Sequence, residues 1–136
     1  MKKTKLLMIA LMASLLALGS GCVLFVAGAL VAGGVAGYSY VNGELKVTAG
    51  ATVNQAYDAS LSAMSDLQFT VTSKTKDALQ GEIDARNSSN TAIVIKLKYM
   101  SNTATEIRIR VGTFGDKTMS DMILDKIKSH LPTSGS

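Results

Sequence analysis

The chain has 136 residues and a mass of 14.2 kDa, which leaves room for one compact domain and excludes a two-domain enzyme. Its formal net charge is +4, but three of its 14 basic residues stand within the first five positions, leaving 11 basic residues against 10 acidic ones. This near balance does not indicate a nucleic-acid partner, and the single cysteine excludes an internal disulfide.

The first 21 residues have the pattern of an export signal. A short cationic start is followed by an apolar run over residues 6–18, and small residues lead directly to Cys22. This arrangement resembles a bacterial lipobox, which implies cleavage before Cys22 and attachment of diacylglycerol and an acyl chain to that residue. We therefore predict a signal peptide over residues 1–21 and no other cofactor. The alternative is an uncleaved membrane anchor with an incidental cysteine.

A lipid on Cys22 predicts where the protein resides. Each buried methylene contributes about 0.8 kcal/mol to membrane binding, so several acyl chains on one residue make release slow. The residue after the cysteine is Val23 rather than Asp, which is typical of lipoproteins delivered to the outer membrane. We expect an exported bacterial protein, held by its lipid on the periplasmic side of the outer membrane.

Residues 22–37 form an apolar segment that is rich in glycine and alanine. Ala29, Gly33 and Gly37 recur at every fourth position, which would place them on one face of a helix. Small residues at this spacing let two helices approach closely in lipid, so the repeat predicts self-association. A flexible spacer lying against the membrane is the alternative, because glycine disfavours helices in water.

A change from apolar composition to alternating patterns predicts a folded domain over residues 38–131. Its first segment has alternating apolar residues on both sides of Asn42-Gly43 and is interpreted as one strand or two short ones. Thr52 and Gln55 then have capping-box spacing, and apolar residues recur at helical intervals behind them. We predict a helix over residues 53–66.

Four further segments alternate strictly between apolar and polar residues, at about residues 69–74, 79–86, 93–99 and 106–111. Such a pattern predicts strands that bury one face, and the short polar connections favour antiparallel hairpins. Thr118 and Asp121 have the spacing of a second capping box, and an apolar stripe predicts a helix that ends before Pro132. The predicted fold is α+β, with an antiparallel sheet of four to five strands, two helices on one face and a polar tail over residues 132–136.

Few residues are candidates for catalysis. His130 is the only histidine and stands in the last turn of the final helix, where a cation or a solvent-exposed side chain is expected. Glu82 and Asp84 are spaced like a paired acid and base, but lysines and arginines on the neighbouring strands are natural partners for them. The turn at residues 112–116 lacks the pattern of a phosphate loop, although the amides of the following helix could hold an anion. We predict neither an enzyme nor a metal site.

The exposed face of the predicted sheet is the one surface whose charge pattern suggests a binding role. Basic residues exceed acidic ones there, which predicts a face for an anionic partner such as an envelope protein, an anionic lipid or a polysaccharide. The candidate residues are Lys74, Lys96, Lys98, Arg108 and Arg110.

The domain resembles a family of small bacterial lipoproteins that is classed only as a domain of unknown function. The resemblance rests on the Gly/Ala segment after the cysteine, on Tyr57-Asp58-Ala59 to Met64 leading to Leu67-Gln68-Phe69, and on the sequence IRIRVGTFGD at residues 107–116. A glycine is expected where this chain has Gln68. The family implies a location and a fold but no catalytic residues.

These observations together predict a membrane-anchored envelope lipoprotein whose domain is a non-catalytic binding or assembly module. The first alternative is a structural membrane protein that self-associates through the Gly/Ala repeat. The second is a hydrolase that acts on envelope polymers.

Overall fold

The computed structural model describes residues 34–133, in which six strands and two helices alternate as β-β-α-β-β-β-β-α. The strands are β1 (Val35–Val41), β2 (Glu44–Ala49), β3 (Thr70–Lys76), β4 (Gln80–Arg86), β5 (Ala92–Ser101) and β6 (Ala104–Val111). The helices are α1 (Val53–Asp66) and α2 (Lys117–His130).

The strands form one antiparallel sheet in the order β1-β2-β6-β5-β4-β3. The α+β class and the two helices are confirmed, but the predicted number of four to five strands is wrong. The segment before α1 forms two strands because Asn42 and Gly43 both have positive φ and close a tight hairpin. The order places β2 beside β6, so the first hairpin extends the sheet at its β6 edge.

The core lies between the helices and one face of the sheet. Alternate residues of β2, β4, β5 and β6 point into it, which is the expected consequence of a period of two. The largest fully buried side chains include Leu45, Met64, Ile83, Ile95, Ile109 and Ile127. Because α1 packs mainly over β3 to β6 and α2 over β2 and β6, the described helices cover a single face of the sheet.

Helix α1 has the predicted boundaries and the predicted cap. The Thr52 hydroxyl accepts a hydrogen bond from the Gln55 amide, and the Gln55 side chain accepts one from the Thr52 amide. At the other end Gln68 has a φ of +58° and its amide donates to the carbonyl of Ser65. This left-handed position is where a glycine was expected.

Helix α2 begins two residues earlier than the predicted capping box at Thr118 implies, and it uses a different cap. The carboxylate of Asp116 accepts a hydrogen bond from the Met119 amide, so Asp116 is the N-cap residue. The predicted capping box of Thr118 and Asp121 is therefore wrong. Asp121 lies within the helix and bonds Tyr38 and Lys117 instead.

The strand register defines two opposite ends of the sheet. Val35 is paired with Ala49, which in turn is paired with Thr105. Thr105 is paired with Tyr99, so these residues form one row across the sheet. We call this row, with the neighbouring turns at residues 77–79 and 102–103, the proximal end because Gly34 leads into β1 there. The turns at residues 42–43, 87–91 and 112–116 form the distal end.

The predicted signal peptide, Cys22, Ala29, Gly33 and the last residues of the polar tail lie outside the described residues. Gly37 lies inside them, at a bulge in β1 with a φ of +65°. Gly37 therefore lies in a strand of the sheet rather than in a helix, and β1 begins three residues before the predicted start of the domain. Between residues 34 and 133, no helix is long and apolar enough to cross a membrane.

Candidate functional site

The sheet face opposite the helices is the largest functional candidate, and we call it the open face. It carries the outward residues of β2, β4, β5 and β6, which alternate with the buried ones. Six basic residues lie on it, namely Lys46, Arg86, Lys96, Lys98, Arg108 and Arg110. Four acidic residues accompany them, namely Glu44, Glu82, Asp84 and Glu106. The excess of positive charge on this face is two. The alternation pattern alone predicts an excess of four, because it includes Lys74 and Lys76 and omits Lys46 and Glu44.

One predicted member does not belong to the open face. Lys74 is paired with Ile83, whose side chain is buried in the core, so Lys74 points to the helix side of the sheet. The cause is a bulge in β3 between Val71 and Ser73, which adds one residue and reverses the faces beyond it. Lys76 follows the same register, and its ammonium lies 5.0 Å from the centre of the Tyr57 ring on α1.

Carboxylates on the same strand or on an adjacent one partly neutralise the remaining cations. The Nε of Arg108 lies 2.6 Å from the Glu106 carboxylate, and its Nη1 lies 3.9 Å from that of Glu44. Lys96 lies directly opposite Glu82, with 4.0 Å between Nζ and Oε2. The predicted cross-strand pairing of Glu82 is thus confirmed. These groups are partly exposed, so each pair contributes little to stability, on the order of 0 to 1 kcal/mol.

The other two residues predicted for an anionic partner, Arg110 and Lys98, differ in the contacts that their charged groups already make. Arg110 donates through its guanidinium to the carbonyls of Asn42 and Thr113, which ties it to two turns of the distal end. Lys98 forms no ion pair with any residue between 34 and 133, and it stands opposite Gln80 and Glu106. Lys98 is therefore the more available cation. Lys46 and Glu44 were not predicted to lie on this face, because the alternation of residues does not show that β2 pairs with β6 or in which register.

A shallow cleft of about 500 Å³ lies at the β3 to β6 side of the open face. Its lining joins Lys96, Lys98 and Arg108 with Glu82 and Glu106. The cleft is therefore lined both by cationic hydrogen-bond donors and by anionic acceptors. Such a surface fits a polar ligand that itself carries both signs of charge.

His130 has a partner that its position in the sequence does not reveal. Its Nε2 lies 2.6 Å from Oδ2 of Asp66, 64 positions earlier in the chain. The pair joins the C-terminal ends of the two helices. No hydroxyl or thiol within residues 34–133 forms a hydrogen bond with His130, so the geometry is that of a structural link rather than of a nucleophile and base.

The N-terminal end of α2 is occupied by the protein's own groups. The Asp116 carboxylate already accepts a hydrogen bond from the Met119 amide, which leaves less room for the anion considered above. Lys117 and Tyr38 both bond the Asp121 carboxylate, at 2.7 Å each, and these bonds lower the pKa of Asp121. The same contacts raise the pKa of Lys117, first through Asp121. Within the described part of the chain, no group of three or more His, Cys, Asp or Glu could hold a metal ion.

Comparison with known proteins gives a family but no activity. A family model described as "Protein of unknown function (DUF3568)" matches residues 5–130. The match spans the described domain almost to its end and includes most of the segment before it. A search of curated proteins found no match.

Proposed function

The chain belongs to the DUF3568 family of unknown function, and from its own residues we propose that it is a lipid-anchored protein of the bacterial envelope. Its domain is a non-catalytic module that binds another envelope protein through the open face. The observation that carries the binding role is the asymmetry of the fold. Two helices cover one face of a six-stranded sheet, while no element between residues 34 and 133 covers the other.

The sequence supports the anchor. A cationic start, an apolar run and small residues precede Cys22, which is the sole cysteine of the chain. Diacylglycerol and an acyl chain on this residue hold the mature protein at a membrane, since two or more chains bind far more durably than one. Val23 favours the outer membrane, with the domain in the periplasm.

The open face supports a protein partner over a polyanion. Its six cations are accompanied by four carboxylates, and Arg108 and Lys96 already contact some of them. A strongly anionic polysaccharide would meet repulsion from those carboxylates as well as attraction. A protein surface with charges of both signs can match the pattern, and such complementarity gives specificity.

Site-specific photo-crosslinking in the living bacterium tests this proposal. A photoreactive residue replaces Val94, which lies on the open face opposite Arg110 and Asp84. The matched control carries the same residue at the exposed Asp58 of α1. We expect a discrete protein adduct from position 94 that is lost when Lys96→Glu and Lys98→Glu are added.

Equal adducts from positions 94 and 58, or none from position 94, would contradict binding through the open face. The anchor is tested separately by Cys22→Ser, which is expected to abolish labelling of the protein by radioactive palmitate. A Cys22→Ser protein that is labelled as strongly as the original chain would contradict the lipid anchor.

A further inference from the structure

We propose that the proximal end of the sheet rests on the lipid bilayer, with Leu79, Tyr99 and Met100 entering the headgroup region. The inference rests on the proposed lipid anchor and adds an orientation to it. The domain then stands upright on the membrane, and its distal end points away from the lipid.

Three large apolar side chains are exposed together at the proximal end. Leu79 is 61% exposed, Met100 51% and Tyr99 38%. Leu79 lies in the turn before β4, and Tyr99 and Met100 lie near the end of β5. The two segments are neighbours, since the Tyr99 amide donates to the Leu79 carbonyl at 2.7 Å. Exposed apolar residues grouped in this way mark contact surfaces, and tyrosine is common where one end of a side chain is in lipid and the other in water.

The N-terminal segment joins the domain at the same end. The carbonyl of Gly34 accepts from the Gly50 amide, and the next residue, Val35, begins the row that leads to Tyr99. The two positions are three strands apart, which corresponds to roughly 14 Å at about 4.8 Å per strand. An anchor attached before Gly34 therefore brings Leu79, Tyr99 and Met100 close to the surface that holds it.

The sequence before Gly34 supports a position of the proximal end close to the membrane. Cys22 precedes Gly34 by twelve positions, and residues 23–33 carry no charged or polar side chain. Apolar side chains gain free energy by leaving water, so this stretch favours the lipid over an extended path through the periplasm. Three side chains are too few to hold a protein alone, but an anchor supplies a high effective concentration.

Charged groups at the proximal end suit a phospholipid surface. Lys76 and Lys98 flank the apolar side chains on the two faces of the sheet. The nearby carboxylate of Asp77 accepts hydrogen bonds from the amides of Leu79 and Gln80, which shapes the turn that presents Leu79. Lys98, which forms no ion pair with any residue between 34 and 133, is therefore placed to meet a headgroup phosphate.

The distal end provides a matched comparison. Phe114 is 92% exposed and Val41 61% exposed, so this end is also apolar. The strands separate it from the proximal end by roughly 30 Å, at about 3.4 Å for each of the 10 residues of β5. With the chain anchored at the proximal end, Phe114 lies out of reach of the bilayer.

Because the chain has no tryptophan, a single introduced indole reports its own surroundings. The full processed protein, purified from membranes as Leu79→Trp or as Phe114→Trp, is incorporated into vesicles of phosphatidylethanolamine and phosphatidylglycerol with brominated acyl chains. We expect the fluorescence of Leu79→Trp to be quenched at least threefold more than that of Phe114→Trp. Met100→Trp serves as a second reporter if Leu79→Trp fails to fold.

Flotation of the same vesicles separates this inference from the proposed anchor. Protein that floats, with little quenching at positions 79 and 100 or equal quenching at position 114, overturns the upright orientation and leaves the anchor intact. Protein that does not float overturns the anchor and the orientation together.

Discussion

Gly43 and Gly115 lie back to back, so that a Cβ atom built on Gly115 would stand 2.3 Å from the Cα of Gly43. Both residues also have positive φ, +80° and +84°. Their contact joins the hairpin between β1 and β2 to the turn before α2. It places the IRIRVGTFGD sequence, one of the motifs on which the family resemblance rests, at a close backbone contact.

Gly115→Ala is expected to destabilise the fold by roughly 2 to 3 kcal/mol, because the methyl group meets backbone atoms that cannot move away independently. Gly37→Ala is the matched control, since Gly37 has a φ of +65° but open space around its Cβ position. The control is expected to cost about 1 kcal/mol, the penalty of the left-handed conformation alone. Urea unfolding measures both, and equal losses would show that packing between the two glycines is unimportant.

Gln68→Gly is expected to stabilise the protein by about 0.5 to 1 kcal/mol. Gln68 follows the C-cap residue of α1 and has a φ of +58° with an exposed side chain, so glycine relieves strain and loses no packing. Ser65→Gly, inside the last turn of the same helix, is the control and should destabilise by about 0.5 kcal/mol. If both substitutions lowered the midpoint of thermal unfolding, strain at Gln68 would not be the explanation.

The buried hydroxyl of Thr105 donates to the Ala51 carbonyl at 2.8 Å, which fixes the chain between β2 and α1. Thr105→Val keeps the shape but leaves that carbonyl unpaired, and we expect a loss of about 1 to 2 kcal/mol. Thr103→Val, in an exposed hairpin turn, is the comparison and should change stability by less than about 0.5 kcal/mol. Similar chemical denaturation curves for the two variants would argue against the buried bond.

Acid is expected to weaken the contact between β1 and α2. Hydrogen bonds from Lys117 and Tyr38 hold the pKa of Asp121 below its ordinary value of 3.8, so the unfolded chain binds this proton first as pH falls. The contribution is complete above about pH 4 to 5 and disappears as pH falls through the lower pKa of the folded state. Asp121→Asn should therefore flatten the fall in unfolding free energy below pH 4.

Asp125→Asn is the control for the acid experiment. Asp125 lies on the same helix, but its carboxylate is largely exposed and stands 3.7 Å from Lys128. This variant should keep the acid dependence of the original chain. An unchanged pH profile in Asp121→Asn would contradict the proposed role of the Tyr38, Lys117 and Asp121 cluster.

Local patterns in the sequence predict local structure well in this protein. The capping box at Thr52 and the apolar spacing behind it predict both ends of α1 correctly, because hydrogen bonds within four residues determine them. The alternation in β4, β5 and β6 correctly assigns their buried and exposed faces. Lys74 is misplaced because a bulge changes the period by one residue, and no side-chain pattern marks that bulge.

Contacts between distant residues are not predictable in the same way. The pairing of His130 with Asp66 depends on how two helices meet, and the pairing of Lys46 with Arg108 depends on β2 joining the sheet beside β6. The smaller charge excess on the open face has a local cause instead. The bulge in β3 places Lys74 and Lys76 on the helix side, while the charges of Lys46 and Glu44 cancel each other.

Mass spectrometry of the N-terminal peptide of the membrane-extracted protein decides whether it is a lipid-anchored envelope module. We predict a peptide that begins at Cys22 and carries diacylglycerol and an acyl chain. A peptide that retains residues 1–21 with an unmodified Cys22 would contradict the lipid anchor and the membrane orientation derived from it.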